Sequence, residues 1–202
     1  MLNQYHNSIT KKRQHLKAPK PTPAALQAAE NSKLPDLISP GLQVLFCGIN
    51  PSLYSAATGF HFARPGNRFW PALYGAGFTP QLLKPQEQHR LLDNGYGITN
   101  VADRPTTAAA ELSKAEISAG ADQLTQKVLR YKPQVLAVLG ITVYRTAFGM
   151  AEAKVGLQDK HIGETRLWIL PNPSGLNAHY TPGRLKELFR ELRLYAEAVS
   201  NS

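Results

Sequence analysis

Two short segments hold the residues whose types and spacing could do chemistry. The first is Gly48-Ile-Asn-Pro-Ser52, continuing through Thr58-Gly-Phe-His-Phe-Ala-Arg-Pro-Gly-Asn-Arg-Phe-Trp70; the second is Asn172-Pro-Ser-Gly-Leu-Asn177. Asn50 offers an amide with one carbonyl, two N–H donors and no charge. It can hold a water or contact a base edge, but it is too weak to act as a general base. Phe60, Phe62, Phe69 and Trp70 offer flat surfaces on which a ring can stack. Gly59, Gly66 and Gly175 permit close backbone approach. Leu176, between Gly175 and Asn177, is a candidate apolar wedge for stacked bases. A base taken out of a helix needs a pocket, a stacking platform and a filler for the vacated space.

These segments need strands and helices to position them. Gln43 to Ile49 is an almost wholly apolar run that stops at Asn50-Pro51, which predicts a buried strand. Val135 to Leu139 and Leu167 to Leu170 read the same way, and the latter runs into Pro171-Asn172-Pro173. Tyr96 to Val101 is a short strand or an ordered turn. Pro51 to about Asn67 is a Gly/Pro-rich loop, and Arg68 to Gly77 a helix with Phe69, Leu73 and Ala76 on one side. Pro85 begins a helix carrying Leu91 and Leu92. Ser113 is an N-cap with Glu116 at the capping-box position, ahead of the stripe Ile117, Ala121, Leu124 and Val128. Thr142 to Gly149 suits a short helix. Thr181 caps the last helix, with Pro182 at its first position and Leu185, Leu188, Phe189, Leu192, Ala196 and Val199 on one face. Strands alternating with helices, and lacking polar/apolar alternation themselves, predict an α/β domain whose mostly parallel sheet has helices on both faces. Ligands of such sheets sit beyond the carboxyl ends of the strands, where both chemical segments fall.

Residues 1–36 read as a basic, flexible N-terminal tail, with Lys11, Lys12, Arg13, Lys17, Lys20 and Lys33 against Glu30 and Asp36. Residues 24–31 could form a short helix within it. The domain proper is expected over 37–202. Hydrophobic residues make up 43% of the 202, enough for a packed core. No apolar run nears the roughly 18 residues of a membrane span, and the N-terminal stretch lacks the apolar core of a secretory signal. The lone cysteine, Cys47, excludes an intramolecular disulfide framework and any four-cysteine zinc or iron–sulfur site. The single thiol fits a reducing, cytoplasmic setting. A net charge of +9 favours polyanionic partners.

The segments GINPS (48–52), TGFHFARPGNRFW (58–70), ITNVADRPT (98–106) and NPSGLN (172–177) resemble, in order and spacing, the mismatch-specific uracil/thymine DNA glycosylases. The similarity runs from about Leu37 to Val199. It implies a single three-layer domain of the uracil-DNA glycosylase type, monomeric and without metal or organic cofactor. The implied substrate is double-stranded DNA with uracil, ethenocytosine or thymine opposite guanine, with no membrane partner. By this resemblance Asn50 positions the attacking water. Gly48, Ile49, Ser55, Phe62 and Asn100 form the base pocket, with Phe62 stacking on the flipped base. Asn172, Ser174, Gly175, Leu176 and Asn177 enter the duplex, Gly175 facing the widowed guanine and Leu176 plugging the gap. Ser52 stands where the family often has glycine, and Ala178 where some members have arginine.

The residues also admit plainer readings. Asn-Pro after a strand is ordinary turn chemistry, and Phe69 and Trp70 on a helix suit a core. His61 reads as structural or solvent-exposed. Arg64, Arg68 and Arg104 lie near the mouth, with Arg64 the best candidate for a phosphate contact. Asp103 is expected in an ion pair with its neighbour Arg104 or in a capping role, and Cys47 in inert packing. A dinucleotide-dependent oxidoreductase lacks its phosphate cradle, because GINPS stands where G-x-G-x-x-G is required. A non-catalytic DNA-binding protein stays open.

Overall fold

The computed structural model describes residues 20–200. Five strands, β1 (Val44–Gly48), β2 (Tyr96–Asn100), β3 (Val135–Leu139), β4 (Gly156–Ile162) and β5 (Thr165–Leu170), form one sheet in the order β2-β1-β3-β5-β4. The first four in that order run parallel, and β4 closes the edge antiparallel to β5. Strands β1, β2 and β3 are buried along their whole length. Apolar side chains on both faces are therefore required, which is why these runs show no alternation.

Alternate residues of β1 feed two cores. Val44 and Phe46 join Phe69, Leu73 and Phe189 on one side of the sheet. Leu45 and Cys47 join Leu124, Val128 and Tyr144 on the other. Helices α3 (Phe69–Ala76) and α7 (Pro182–Ser200) supply the first layer, and α5 (Lys114–Tyr131) and α6 (Ile141–Phe148) the second. The expected mostly parallel sheet with helices on both faces is thus the fold observed. Neighbouring strands β1 and β3 send the chain opposite ways from their carboxyl ends, β1 toward β2 and β3 toward β4 and β5. That divergence opens a crevice at the ends of the strands.

Several elements depart from the sequence reading. Residues 51–67 are not all loop: Ser52 caps a short helix, α2 (Leu53–Thr58), its hydroxyl accepting from Ser55 N–H at 3.1 Å. The segment after Pro85 forms a 3-10 turn (Pro85–Glu87) before the single-turn helix α4 (Arg90–Asp93). Strand β4 has no counterpart in the sequence reading; it is a largely exposed edge strand with an irregularity between Leu157 and His161. Within the segment read as a tail, α1 (Pro23–Ala28) leads into a 3-10 turn, and Ala29 and Leu34 are buried. Asp36 pairs with Lys127 and accepts from the Thr99 hydroxyl at 2.8 Å. The packed chain therefore begins ahead of Leu37. Lys11, Lys12, Arg13 and Lys17 of the expected cationic arm lie outside the described residues. No described helix is long and apolar enough to cross a membrane.

Candidate active site

A cavity of about 200 Å³ opens at the carboxyl ends of β1, β2 and β3. Pockets for drug-sized ligands run to roughly 300–1,000 Å³, so this one suits a single-ring molecule. Gly48, Ile49, Asn50, Ser55, Phe62, Arg64, Asn100, Asn172, Ser174 and Leu176 all line it. The two segments singled out in the sequence therefore border one space.

Its floor is set by strand register. Gly48 lies opposite Asn100 in the β1–β2 ladder. A methyl group on Gly48 would sit 2.5 Å from Asn100 Oδ1 and 3.4 Å from the Phe62 ring. Glycine at 48 thus lets the Asn100 amide and the Phe62 ring close over the strand end.

Beyond the strands the two backbones stay joined. Val101 and Ala102 N–H donate to Gly48 and Ile49 carbonyls at 2.9 Å each. Further on, Thr106 N–H donates to Pro51 O at 3.2 Å and Leu53 N–H to Thr106 O at 3.1 Å. Between these ties sits Asn50. Its Nδ2 donates to Arg104 O at 2.8 Å and to Thr106 Oγ1 at 2.7 Å. A main-chain carbonyl only accepts, so Arg104 O fixes which end of the amide faces it. Both N–H donors are consumed, and the carbonyl Oδ1 is the end left for a ligand or a water.

Phe62 reaches the cavity from an unusual backbone, with φ of 52°. Non-glycine residues adopt this region rarely, so the surroundings must enforce it. Ser55 Oγ accepts from Ala63 N–H at 3.2 Å on one side. On the other, the buried Gln88 amide accepts from His61 N–H at 2.8 Å and donates to Gly59 O at 3.2 Å. Trp70 Nε1 donates to His61 O at 3.1 Å. Phe69 stacks behind the Phe62 ring, centroids 4.0 Å apart. Of the four aromatics offered as platforms, Phe62 lines the cavity; Phe69 and Trp70 belong to the core and Phe60 is not among the lining residues. His61 is buried and structural: its Nε2 meets Pro35 O at 3.0 Å, and burial pushes the imidazole below the ordinary histidine value.

The finger at 172–177 is shaped by its own side chains. Asn172 Oδ1 accepts from Ser174 N–H at 2.9 Å, and Asn177 Nδ2 donates to Asn172 O at 3.0 Å. Gly175 and Asn177 stand outside the cavity lining. A methyl group on Gly175 would lie 2.5 Å from Gly66 O, so the finger rests directly on the loop before α3. Leu176 is 79% exposed at the tip, the most exposed of the large apolar side chains described.

The three arginines near the mouth separate by role. Arg68 is the brace of the finger: its guanidinium donates to the carbonyls of Ser174, Asn177 and Tyr180 at 2.7, 2.9 and 2.6 Å. Arg104 pairs with Glu116, at 2.7 Å, and not with Asp103, which instead meets Lys33 at 3.5 Å. The expected Asp103–Arg104 pair is thus replaced by two longer-range ones. Arg64 stays exposed at the rim. Cys47 is fully buried, and burial pushes its thiol far above the ordinary range, which leaves it unreactive packing. Gln88, which fixes the loop carrying Phe62, escaped the sequence reading.

The fold and the cavity define a three-layer α/β protein with a single-ring pocket beyond its parallel strands, lined by an oriented amide and an aromatic platform. Residues 35–193 match the model of the uracil DNA glycosylase superfamily, and the chain belongs to that family. It is accordingly a DNA N-glycosylase, a hydrolase. A solved structure with a similar fold is the solution NMR structure of a candidate uracil DNA glycosylase from Methanosarcina acetivorans. The similarity has a TM-score of 0.52 at 18% identity and covers 80% of this chain and 98% of that one.

Proposed function

We propose that the chain acts on double-stranded DNA as a mismatch-specific glycosylase, flipping uracil opposite guanine into the cavity and hydrolysing its bond to the sugar with a water held by Asn50. Ethenocytosine and thymine opposite guanine are the further substrates of this reading. The observation that carries it is that the oriented amide of Asn50 and the exposed tip of Leu176 border the same small cavity. One supplies the reacting centre and the other the filler that an extruded base requires. Action as a monomer is part of this reading.

In this mechanism the C1′–N1 bond breaks and its electron pair leaves with the base. Phe62 stacks on the ring. Backbone N–H groups at Ile49 and Phe62 stabilise the departing anion, each lowering the barrier by about 3 kcal/mol. The water on the opposite face donates a hydrogen bond to Asn50 Oδ1, adds to C1′ and gives its proton to solvent. An amide is a poor proton acceptor, so orientation is its contribution. Turnover is slow and favours good leaving groups. Arg64 at the rim meets a phosphate.

The test is release of free base, under single-turnover conditions, from duplexes holding U:G, U:A, T:G or ethenocytosine:G. Preferential release from the guanine-opposed duplexes is expected. Equal release from U:A and U:G would remove mismatch specificity. Asn50→Ala is expected to bind DNA as the parent does and to lose most base release; a rate near the parent's would remove the water-holding role.

A further inference from the structure

We infer that Arg104 and Glu116 are positioning residues for Asn50, fixing its amide from the first turn of α5. This rests on the role proposed for Asn50. The bond that orients Asn50 runs to the main-chain oxygen of Arg104, and the side chain of that same residue reaches away to Glu116. The guanidinium forks onto the carboxylate, Nε to Oε1 at 2.7 Å and a terminal nitrogen to Oε2 at 3.3 Å, and also donates to Glu111 O at 3.1 Å. A two-point fork fixes direction as well as distance. Glu116 is itself held, accepting from Ser113 N–H and from the Ser113 hydroxyl at 2.9 Å each. A continuous run of hydrogen bonds therefore joins the start of an 18-residue helix to the amide in the cavity.

The segment needs this tie. Its flanks are pinned by main-chain bonds, Ala102 to Ile49 and Thr106 to Pro51. Between them the side-chain anchors are Asp103, which meets Lys33 at 3.5 Å, and Arg104, whose contact with Glu116 is closer at 2.7 Å. The pair is solvent-facing, with side chains 47% and 37% exposed. Ion pairs so placed add little to folding stability, so breaking this one tests geometry and not the fold. The hydrogen bond from Arg104, and then those from Ser113, hold the Glu116 carboxyl down to about 2. The fork therefore stays charged at any pH suited to an assay.

The experiment uses the full chain on a duplex with 5-fluorouracil opposite guanine, whose better leaving group keeps slow variants measurable. Arg104→Ala and Glu116→Gln are each made in the parent and in the Asn50→Ala variant. A glutamine side chain at this position retains the capping box and loses the charge of the fork. Each single change is expected to lower the single-turnover rate roughly tenfold, since small displacements of a reacting group carry such penalties. Duplex affinity and melting temperature stay at the parent's values. In the Asn50→Ala background neither change lowers the rate further, because the group they position is gone. Single variants within twofold of the parent would overturn the proposal. So would a further tenfold loss without Asn50, which would place the pair on a separate route. Parent-like release by Asn50→Ala alone would instead remove the reading on which the inference rests.

Discussion

Gly48 and Gly175 both mark places where a side chain would collide, but with different things. At Gly48 the obstacle is the Asn100 amide oxygen, a side-chain atom within the cavity itself. At Gly175 it is the main-chain oxygen of Gly66, in a neighbouring loop. The floor is thus built on sheet register and packed aromatics. The finger is held by hydrogen bonds to its own carbonyls, two of them from the Arg68 guanidinium, which also donates to Tyr180 O just beyond it. A rigid floor suits a step that needs a fixed water and a fixed ring. An exposed finger, seated on another loop, suits a step that must meet DNA and move aside for it.

If that division holds, changes in the floor impair base release while leaving DNA binding intact, and changes in the finger do the reverse. The largest effect is expected from Gly48→Ala. The added methyl drives the Asn100 amide from its place against the pocket floor, and misplacement of about 1 Å in a reacting geometry costs on the order of 100-fold. Single-turnover release from U:G should fall by that order with duplex affinity unchanged. Loss of affinity in parallel would break the distinction. Leu176→Ala comes next, at roughly tenfold on paired uracil, since unstacking costs a few kcal/mol that the wedge no longer offsets. The same variant should release uracil from an unpaired bubble at the parent's rate and show a weaker 2-aminopurine signal on binding. Its stability should stay within about 0.5 kcal/mol of the parent, because the side chain touches little. An equal defect on paired and bubbled uracil would mean that Leu176 is not a wedge.

Arg68→Lys sharpens the same contrast with a smaller effect. An ammonium cannot reach three carbonyls as a planar fork does. The finger should loosen, and base release from U:G should fall several-fold while release from a bubble is spared. A general loss of stability with both substrates equally impaired would assign Arg68 to the fold alone.

What was legible in the sequence follows from the kind of force at work. Strands β1, β3 and β5 and helices α5 and α7 announce themselves through apolar runs and stripes, because burial selects residue type. Ser113 with Glu116, and Thr181 ahead of Pro182, mark helix starts through side-chain chemistry, and the Thr181 hydroxyl does accept from Arg184 N–H at 3.2 Å. Strand β4 was missed because an exposed edge imposes no such selection: Gln158, Asp159 and Lys160 interrupt any apolar run. Helix α2 was missed because six residues leave no stripe. Asn50, Phe62 and Leu176 were legible as unusual types at strand ends. Their supports were not legible as such, although Arg68 and Arg104 stand out as basic residues near the mouth. Arg68, Gln88 and Arg104 work largely through main-chain oxygens and N–H groups, which every residue carries, so no partner's identity betrays them.

The smallest effect concerns His61, buried beside Phe62 at the edge of the cavity, whose ring nitrogen meets Pro35 O. Burial lowers its imidazole below the usual value, opposed in part by the bond with Pro35 O. The folded state therefore keeps the ring neutral over a range in which the unfolded chain already binds a proton. As pH falls through the ordinary value near 6.5, the unfolded state gains that proton first, and stability falls. The loss stops growing once the pH is below the folded value, where both states are charged. One proton sets the ceiling, about 1.4 kcal/mol per pH unit. His61→Gln removes this term, so the stability gap between parent and variant, measured by urea unfolding, should be widest near pH 8 and narrow toward pH 5. A gap that is constant across that range would mean that His61 titrates alike in both states, and the floor would then owe nothing to a neutral, buried ring.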